Sequence, residues 1–312
     1  MPPSTSFNMP PSFTLQIPAS TANLGAGFDC LGLALTLYNL VRVEPARALH
    51  VSITGEGDDT LARSVNNRVV RAMQLGSAAL GKPLPPVSLQ MTNRIPLARG
   101  LGSSAAAAVG GLLAANVYYD EPLSRDELLA LATQIEGHPD NVAPALLGGF
   151  CVASMDDGKP VVLRLDFPEV LHLIVFVPDA PLGTKQARGV LPARVPRADA
   201  IFNLGRAALW VAALGQQRFD LLALASEDRL HQPYRFRLIP GSRQIIAAAM
   251  HAGARGAFIS GAGSSIAALA DQACAEVAAA MQDAAGAAGQ PGHTLELQCD
   301  PHGARVLYGP WV

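Results

Sequence analysis

The stretch Pro96-Leu-Ala-Arg-Gly-Leu-Gly-Ser-Ser-Ala105 joins a glycine-rich loop to the start of a helix. Gly100 and Gly102 let the backbone approach a ligand closely and adopt positive φ angles. Ser103 and Ser104 stand where the helix begins, and the free N–H groups and dipole of a helix start favour bound anions. A serine hydroxyl there can also hold Mg²⁺. The stretch indicates a phosphate-binding loop, although a glycine turn capped by serine would use the same residues.

The segment that follows this loop is uncharged from Gly100 to Tyr119, which is nearly enough to cross a membrane. It begins with glycine and serine and is mostly alanine, which is only weakly apolar, so a buried helix of a globular domain is favoured. The small side chains of Ala105–Ala108 keep the first turns of this helix slim, so that phosphates can lie against them.

A second glycine-rich segment, Gly76-Ser-Ala-Ala-Leu-Gly-Lys-Pro83, nearly matches the P-loop of nucleotide-binding proteins. Pro83 stands where that motif needs a hydroxyl for Mg²⁺, and no strand precedes the segment. A helix that ends at Gly81 explains it better.

Composition excludes several classes of protein. The 312 residues are 50% hydrophobic and 15% charged, with a formal net charge of −2, so the chain should fold and offers nucleic acid no basic surface. Its four cysteines are far apart and form no Cys-x-x-Cys pair, which favours reduced thiols in the cytoplasm over a zinc site or a disulfide scaffold. Residues 1–12 lack the features of a signal peptide and are expected to be a disordered tail.

Periodicity predicts strands and helices in mixed order, which favours an α+β fold over a doubly wound sheet, with a boundary near residues 160–170. The predicted strands are Phe13–Ile17 (ending at Pro18), Leu33–Val43, Leu49–Ile53, a strand within Pro85–Asn93, Gly148–Ser154, Val161–Leu165, Leu171–Val177, Ala257–Ser260 and Leu295–Cys299. The predicted helices are Asn67–Leu80, the alanine-rich helix, Ser124–Ile135 with a Ser124/Glu127 capping box, Arg197–Leu214, Leu221–Asp228, Ser242–Ala252 and Asp271–Ala288.

The phosphate-loop stretch resembles the phosphate-binding motif of the GHMP kinases, a superfamily of galacto-, homoserine, mevalonate and phosphomevalonate kinases. Two more motifs stand in the order that this family requires: Pro18-Ala-Ser-Thr-Ala-Asn-Leu-Gly-Ala-Gly-Phe-Asp29 and Ile259-Ser-Gly-Ala-Gly-Ser-Ser265. The family usually has proline where Ser264 stands. The retained glycines predict that the loop survives, with more mobility than a proline would allow.

The resemblance implies a two-domain GHMP kinase fold. A nucleotide-binding domain like ribosomal protein S5 domain 2 is expected over residues 13–165, and a ferredoxin-like domain over residues 166–312. The oligomeric state is left open, with a homodimer as one alternative. Neither a membrane nor a nucleic acid is expected as a partner.

Within the superfamily, the sugar and mevalonate kinases usually carry Gly-Glu-His in the first motif, whereas Asn23–Asp29 resembles the homoserine kinase version. The segments Glu136–Gly149, Thr184–Arg188 and His231–Arg235 are of the same type. The resemblance therefore implies phosphorylation of the L-homoserine hydroxyl by ATP, a step of threonine biosynthesis.

Homoserine is a zwitterion, so Asp29 is the candidate for its ammonium group, and Arg188 and Arg235 are candidates for its carboxylate. Asn23, His138 and Asn141 would supply neutral hydrogen bonds. Thr184, Gly261 and Gly263 complete the expected substrate-binding set. Taken singly, Asp29 could merely cap a turn, the two arginines could be solvated on the surface, and His138 could be an ordinary loop residue.

For the nucleotide, the resemblance implies that the loop holds the phosphates of ATP and that Ser104 and Glu136 hold Mg²⁺, with Glu127 as the alternative carboxylate. The expected ATP-binding residues are Asn66, Pro96, Arg99, Gly100, Leu101, Gly102, Ser103, Ser104, Ala105 and Ala106. The adenine base is expected near Asn66–Val70.

The expected catalytic residues are Asp140, Asn141 and Arg188. Mevalonate-type relatives use an aspartate as general base, and the sequence leaves open whether Asp140 or Asn141 takes that position. If it is Asn141, a phosphate oxygen accepts the proton. Two rival interpretations remain: another small-molecule kinase of the superfamily, such as a mevalonate-pathway enzyme, and a non-catalytic binding protein with the same fold.

Overall fold

A computed structural model describes residues 12–307, so the tail expected at residues 1–12 lies almost entirely outside the described residues. Strands β1–β11 span Phe13–Asn23, Gly27–Pro45, His50–Gly55, Val87–Asn93, Phe150–Asp156, Lys159–Leu165, His172–Pro178, Gly256–Ile259, Ile266–Ala270, Gly292–Leu297 and Arg305–Leu307. Helices α1–α10 span Arg68–Ala79, Ser103–Tyr118, Arg125–Glu136, Val142–Leu147, Thr184–Gly189, Arg197–Gly215, Leu222–Ala225, Gln232–Arg235, Ser242–His251 and Cys274–Ala287.

The first sheet has β11-β1-β2-β4-β3 as its main path, with β5 paired to β2 and β6 paired to β5. Among the strands of residues 12–307, only the β3–β4 pair of this sheet is parallel. Alternate residues of β1, such as Leu15 and Ile17, are fully buried together with Val109 and Leu112 of α2. This burial anchors α2, so the phosphate loop is attached to a helix that is fixed in the core of the domain.

Strand β1 continues through Pro18 to Asn23, so the prediction that it ends at Pro18 was wrong. The pairing with β2 shifts register between Pro18 and Ala19, where Pro18 faces Tyr38 and Ala19 faces Leu35. Because proline has no N–H to donate, such an irregularity is where a sheet accommodates it. Residues 19–23 of β1 carry the first motif from the sheet to the wall of a cavity.

The second sheet has the order β10-β7-β9-β8 and is antiparallel throughout. Ile174 and Phe176 of β7 pack with Val277 and Met281 of α10, whereas Leu173 belongs to the larger core shared with the first sheet. The boundary expected after residue 165 falls between β6 and β7 and stays a prediction. Strand β11 crosses it, because it returns to pair with β1.

Local capping signals predicted several helix ends well. The side chain of Asn67 accepts a hydrogen bond from Val69 N at the start of α1, and Gly81 (φ 64°) follows its end. The capping box of Ser124 and Glu127 opens α3. Within residues 12–307, no helix is long and apolar enough to span a membrane.

Other elements were missed or misjudged. Helices α4, α5 and α8 have four to six residues each, too few to show helical periodicity. Strand β9 is Ile-Ala-Ala-Leu-Ala and is buried on both faces, so it shows no alternation. The predicted helix Leu221–Asp228 is a 3₁₀ turn followed by the short α7, and α10 begins at Cys274 rather than at Asp271.

Candidate active site

One cavity of about 570 Å³ brings the three motifs together. Its wall includes the turn after β1, the phosphate loop, the start of α2, the segment between α3 and α4, and the start of α5. Most of the predicted site residues line it: Asn23, Asp29, Pro96, Arg99, Gly100, Leu101, Gly102, Ser103, Ser104, Ala106, Glu136, His138, Asp140, Asn141, Thr184, Arg188, Arg235 and Gly261.

The phosphate loop is held by the other two motifs. Gly100 and Gly102 have φ angles of 75° and 71°. The hydroxyl of Ser260 donates to Gly100 O at 2.7 Å. A Cβ atom on Gly100 would lie 2.1 Å from Ser260 O, and one on Gly102 would lie 2.1 Å from Ser20 Oγ. Both positions therefore need glycine for conformation and for close approach.

Arg99 lines the cavity, but its guanidinium group is tethered to backbone carbonyls. It donates to Pro178 O at 2.7 Å, to Leu97 O at 2.6 Å and to Asp179 O. These bonds tie the phosphate loop to the end of β7. Contact of Arg99 with phosphate stays a prediction.

Ser104 and Glu136 meet at the start of α2. Ser104 Oγ donates to Glu136 Oε2 at 2.6 Å, and Arg68 Nη2 lies 2.7 Å from Glu136 Oε1. A hydroxyl and a carboxylate beside a phosphate loop are the hard oxygen donors that Mg²⁺ prefers, so the residues present fit this ion.

The alternative carboxylate, that of Glu127, is engaged elsewhere. It accepts hydrogen bonds from Ser124 N at 2.8 Å and from Ser124 Oγ at 2.7 Å, as part of the capping box. Among the described residues, the cavity wall includes Glu136 and not Glu127. This placement favours Glu136 over Glu127, and the identity of the metal-binding carboxylate stays a prediction.

The part of the cavity expected to take the nucleotide base is lined by Asn67, Arg68 and Val69. Asn66 is exposed and, within the described chain, is not part of the wall. Leu61, Leu97 and Met91 add apolar side chains to the cavity wall, which the sequence did not suggest. Apolar residues in a strand or a loop carry no signal that separates a ligand contact from ordinary core.

In the wall of the same cavity, Asp29 and Arg188 form a two-point ion pair, with Arg188 Nη2 2.6 Å from Asp29 Oδ1 and Nη1 3.0 Å from Oδ2. Asn23 positions Asp29, because its Oδ1 accepts a hydrogen bond from Asp29 N at 3.0 Å while its Nδ2 donates to Gly261 O at 2.8 Å. Burial lowers the pKa of Arg188, but the hydrogen bond and charge of Asp29 outweigh burial and raise that pKa above its usual value.

Arg235 is 1% exposed, so the alternative of a solvated surface arginine is wrong for this residue. Its Nη1 donates to Gly261 O at 2.9 Å and to His231 Nδ1 at 3.0 Å, and its Cζ lies 5.4 Å from the ring centre of Phe28. Burial and the nearby charge of Arg188 lower the pKa of Arg235 to about 10, which leaves it charged at neutral pH.

A chain of hydrogen-bonded polar side chains runs from Ser20, beside the phosphate loop, to His138. Ser20 Oγ donates to Asn141 Oδ1 at 3.0 Å, and Asn141 Nδ2 donates to Asp140 Oδ1 at 3.3 Å. The other neighbour of Asp140 Oδ1 is His138 Nδ1. Burial lowers the pKa of His138, but Asp140 reverses that effect and raises it above its usual value. His138 is thus part of a network, which contradicts the interpretation of it as an ordinary loop residue.

Two protein-family models match separate parts of the chain. Residues 67–149 match the GHMP kinases N terminal domain, and residues 210–287 match the GHMP kinases C terminal domain. The chain is 45% identical to a homoserine kinase of Moorella thermoacetica, over 94% of this chain and 99% of that protein. It is 43% identical to a homoserine kinase of Synechocystis, over 95% and 98% of the two chains.

Solved structures agree with these relatives. The crystal structure of homoserine kinase from Cytophaga hutchinsonii superposes with a TM-score of 0.88 at 31% identity, covering 96% of this chain and 98% of that one. The chain belongs to the homoserine kinase family of GHMP kinases. A mevalonate kinase of Leishmania major, with a TM-score of 0.70 at 17% identity over 92% and 96% of the chains, shares the fold alone.

Membership of the GHMP kinases makes the protein an ATP-dependent small-molecule kinase and confirms the predicted two-domain α+β fold. Three predicted residues lie away from the cavity wall of this GHMP kinase within the described chain: Asn66 is exposed, Ala105 is fully buried in α2, and Gly263 packs beside Gly100. Ser20, Phe28 and Ser260 were not singled out, although they lie inside the first and third motifs. Their position in those motifs was the available signal.

Proposed function

We propose that the protein is an ATP-dependent homoserine kinase that phosphorylates the side-chain hydroxyl of L-homoserine to O-phospho-L-homoserine, for threonine biosynthesis. The observation that carries the proposal is one cavity whose wall includes both the phosphate loop and the Asp29–Arg188 pair. A small amino acid with a hydroxyl arm has the matching groups: two charges for the ion pair and a phosphate acceptor for the loop.

Binding of the amino acid would replace the Asp29–Arg188 ion pair with two ion pairs, one between each of these residues and the substrate. Arg188 is a planar fork suited to a carboxylate, and Asp29 is suited to an ammonium group. Each now satisfies the other at 2.6 Å. A zwitterion placed between them gives each charge a new partner, so neither is left desolvated and unpaired.

Arg235 supports this binding through its position and charge. Its hydrogen bonds to Gly261 O and His231 Nδ1 hold it in place, and it lines the cavity close to Phe28. A fixed second cation raises the local positive potential for the substrate carboxylate. Arg188 is then the direct ligand in the proposal, with Arg235 behind it.

At the phosphate loop, its N–H groups and Ser103 are proposed to hold the ATP phosphates, and Ser104 and Glu136 to hold Mg²⁺. The ion, when bound, neutralises charge on the phosphates. Glu136 is held for this task by Arg68, whose guanidinium contacts the other carboxylate oxygen at 2.7 Å. The fixed geometry lowers the reorganisation needed during phosphoryl transfer.

We propose that Asn141 orients the substrate hydroxyl and that no protein carboxylate removes its proton. Asn141 is beside the phosphate loop, since a Cβ on Gly102 would lie 3.3 Å from Asn141 Oδ1. Asp140 instead engages His138 and the amide of Asn141.

In this step the substrate oxygen forms a bond to the γ-phosphorus, the bond to the β-phosphate oxygen of the departing ADP breaks, and an oxygen of the transferred phosphoryl group accepts the proton. A loose transition state leaves little for a general base to do.

The test is a coupled ADP-release assay on L-homoserine, mevalonate, galactose and L-threonine, with the phosphorylated product identified by mass. We expect kcat/KM for homoserine to exceed that for each other compound by about 10²-fold, because only homoserine combines the zwitterion with a primary hydroxyl arm. Preference for mevalonate would favour the rival kinase, and absence of turnover would favour a binding protein.

Two further points belong to the proposal. All four cysteines lie within the described range as free thiols, which suits the reducing cytoplasm in which we propose that the enzyme acts. A homodimer remains a prediction that sedimentation would check.

A further inference from the structure

Three metal-binding side chains converge in the second domain, each from a different element. They are His172 at the start of β7, Cys274 at the start of α10 and Glu296 in β10, and their ligand atoms all lie within 4.8 Å of one another. His172 Nδ1 is 2.8 Å from Glu296 Oε1. Because the three residues come from different elements, their proximity results from tertiary packing and not from spacing along one helix or strand.

The group lies on the sheet face that is covered by α10. Glu296 stands opposite Ile174 in the β10–β7 pairing, and Ile174 packs in the core formed with α10. Cys274 packs against the same core. None of the three residues lines the cavity of the active site within residues 12–307, so the group has no place in phosphoryl transfer.

The donor set favours a borderline transition ion over Mg²⁺. Thiolate and imidazole are typical ligands of zinc, whereas Mg²⁺ takes oxygen. Zinc binds these donors at about 2.0–2.3 Å, so two ligands of a tetrahedral site lie roughly 3.3–3.7 Å apart. The three atoms lie within 4.8 Å of one another, so side-chain rotations can bring them to that spacing.

Access and an open position are also present. The side chains of His172 and Glu296 are 29% and 51% exposed, so an ion can enter from solvent and a water molecule can complete the coordination. The neighbouring carboxylate of Asp271 is engaged by Arg255 at 2.7 Å, and we do not count it as a ligand.

We propose that His172, Cys274 and Glu296 form a zinc-binding site that is separate from the catalytic metal site. Bound Zn²⁺ connects the start of α10 to β7 and β10. Because the ion binds the folded domain, it stabilises that domain against unfolding by mass action. The proposal does not depend on the identity of the phosphorylated substrate.

Cobalt provides the direct test, since Co²⁺ occupies zinc sites and a Co²⁺–thiolate bond gives a charge-transfer band in the near ultraviolet. Reduced full-length protein, freed of thiol reagents, is titrated with Co²⁺ and then with Zn²⁺. We expect the band to saturate at one equivalent and to disappear on addition of one equivalent of Zn²⁺. Cys274→Ser should abolish it, and His172→Ala should weaken binding at least ten-fold.

The matched control is Cys30→Ser, because Cys30 adjoins Asp29, which forms a second possible donor group with His138 and Asp140. This variant should keep the band. Zn²⁺ should raise the Tm of the wild type and not that of Cys274→Ser, while kinase turnover of Cys274→Ser stays at the wild-type level. A wild type without the band, a band that survives Cys274→Ser, or unchanged affinity in His172→Ala would overturn the proposal.

Discussion

Asp29 and Arg188 lie 159 positions apart in the chain and form a two-point ion pair in the cavity, at 2.6 Å and 3.0 Å. Their side chains are 33% and 37% exposed, so the pair is only partly removed from water. An ion pair at this depth adds little to stability and can be opened by a ligand that offers both charges better partners. The relationship suits a site that selects a zwitterion.

The first prediction concerns Asp29→Asn. The change keeps the shape and removes the charge, and it should lower transition-state binding of homoserine by about 2–5 kcal/mol, because the ammonium group is left without its partner. Steady-state kcat/KM measures this loss. Asp166→Asn, at a side chain that is 93% exposed, is the matched control and should behave as wild type.

A substrate analogue without the amino group completes the cycle for Asp29. It should be a poor substrate of the wild type and lose little more in Asp29→Asn, so the two changes should be strongly non-additive. Additive losses would show that Asp29 only holds the turn.

The second prediction concerns Ser104 and Glu136. Ser104→Ala should lower kcat by about 10²-fold or more with an unchanged melting curve, since it removes a proposed metal and phosphate contact. Glu136→Gln should raise the Mg²⁺ concentration needed for half-maximal rate. Glu127→Gln is the control: glutamine also completes a capping box with Ser124, so this variant should keep the fold and leave the Mg²⁺ dependence unchanged. Equal Mg²⁺ dependence in both glutamine variants would contradict the assignment.

The sequence predicted individual site residues better than their partners. The motif residues Asp29, Ser104 and Arg188 could be named because glycine-rich loops and charged residues stand out from an apolar chain. That Asp29 pairs with Arg188, or that Ser260 bonds to Gly100, depends on packing of distant segments. A single sequence gives no measure of such long-range contacts.

Helices and strands set by local signals were likewise predicted better than those set by long-range pairing. Helices with explicit caps, such as α1 and α3, were placed within a residue or two, because capping is a local interaction. Strand β1 was cut short at Pro18, since the register shift that lets the strand continue depends on β2. Strand β11 was missed because three residues carry no pattern, although its pairing closes the first domain.

The third prediction concerns Gly100→Ala. Gly81 has a similar φ angle, 64° against 75°, so both alanine variants should suffer similar backbone strain of roughly 1 kcal/mol. A methyl group on Gly81 meets no atom within 4 Å, whereas one on Gly100 lies 2.1 Å from Ser260 O. Gly100→Ala should therefore separate the phosphate loop from the third motif and lower kcat/KM at least ten-fold, while Gly81→Ala keeps its activity. Equal effects of the two variants on kcat/KM would show that the contact with Ser260 is unimportant.

The fourth prediction concerns His231 and acid stability. His231 is fully buried; its Nε2–H donates to Gly25 O at 2.7 Å, and its Nδ1 accepts from Arg235 at 3.0 Å. This bonding requires the neutral ring, since a protonated ring has no acceptor for Arg235. Burial is the main cause that lowers the pKa of His231 to about 4, and the charge of Arg235 adds to it, although Asp228 acts in the opposite direction.

In the unfolded chain the pKa of His231 returns to about 6.5. Between pH 6.5 and pH 4 the unfolded state therefore binds more protons than the folded state, and stability falls as the pH is lowered. The contribution of this one residue approaches about 1.4 kcal/mol per pH unit at most. Urea unfolding at pH 7, 5.5 and 4.5 should show a shallower decline for His231→Gln than for the wild type, whatever the stability of the variant at pH 7. His251→Gln, at an exposed position, should keep the wild-type slope. Equal slopes for His231→Gln and the wild type would show that His231 is not buried in its neutral form.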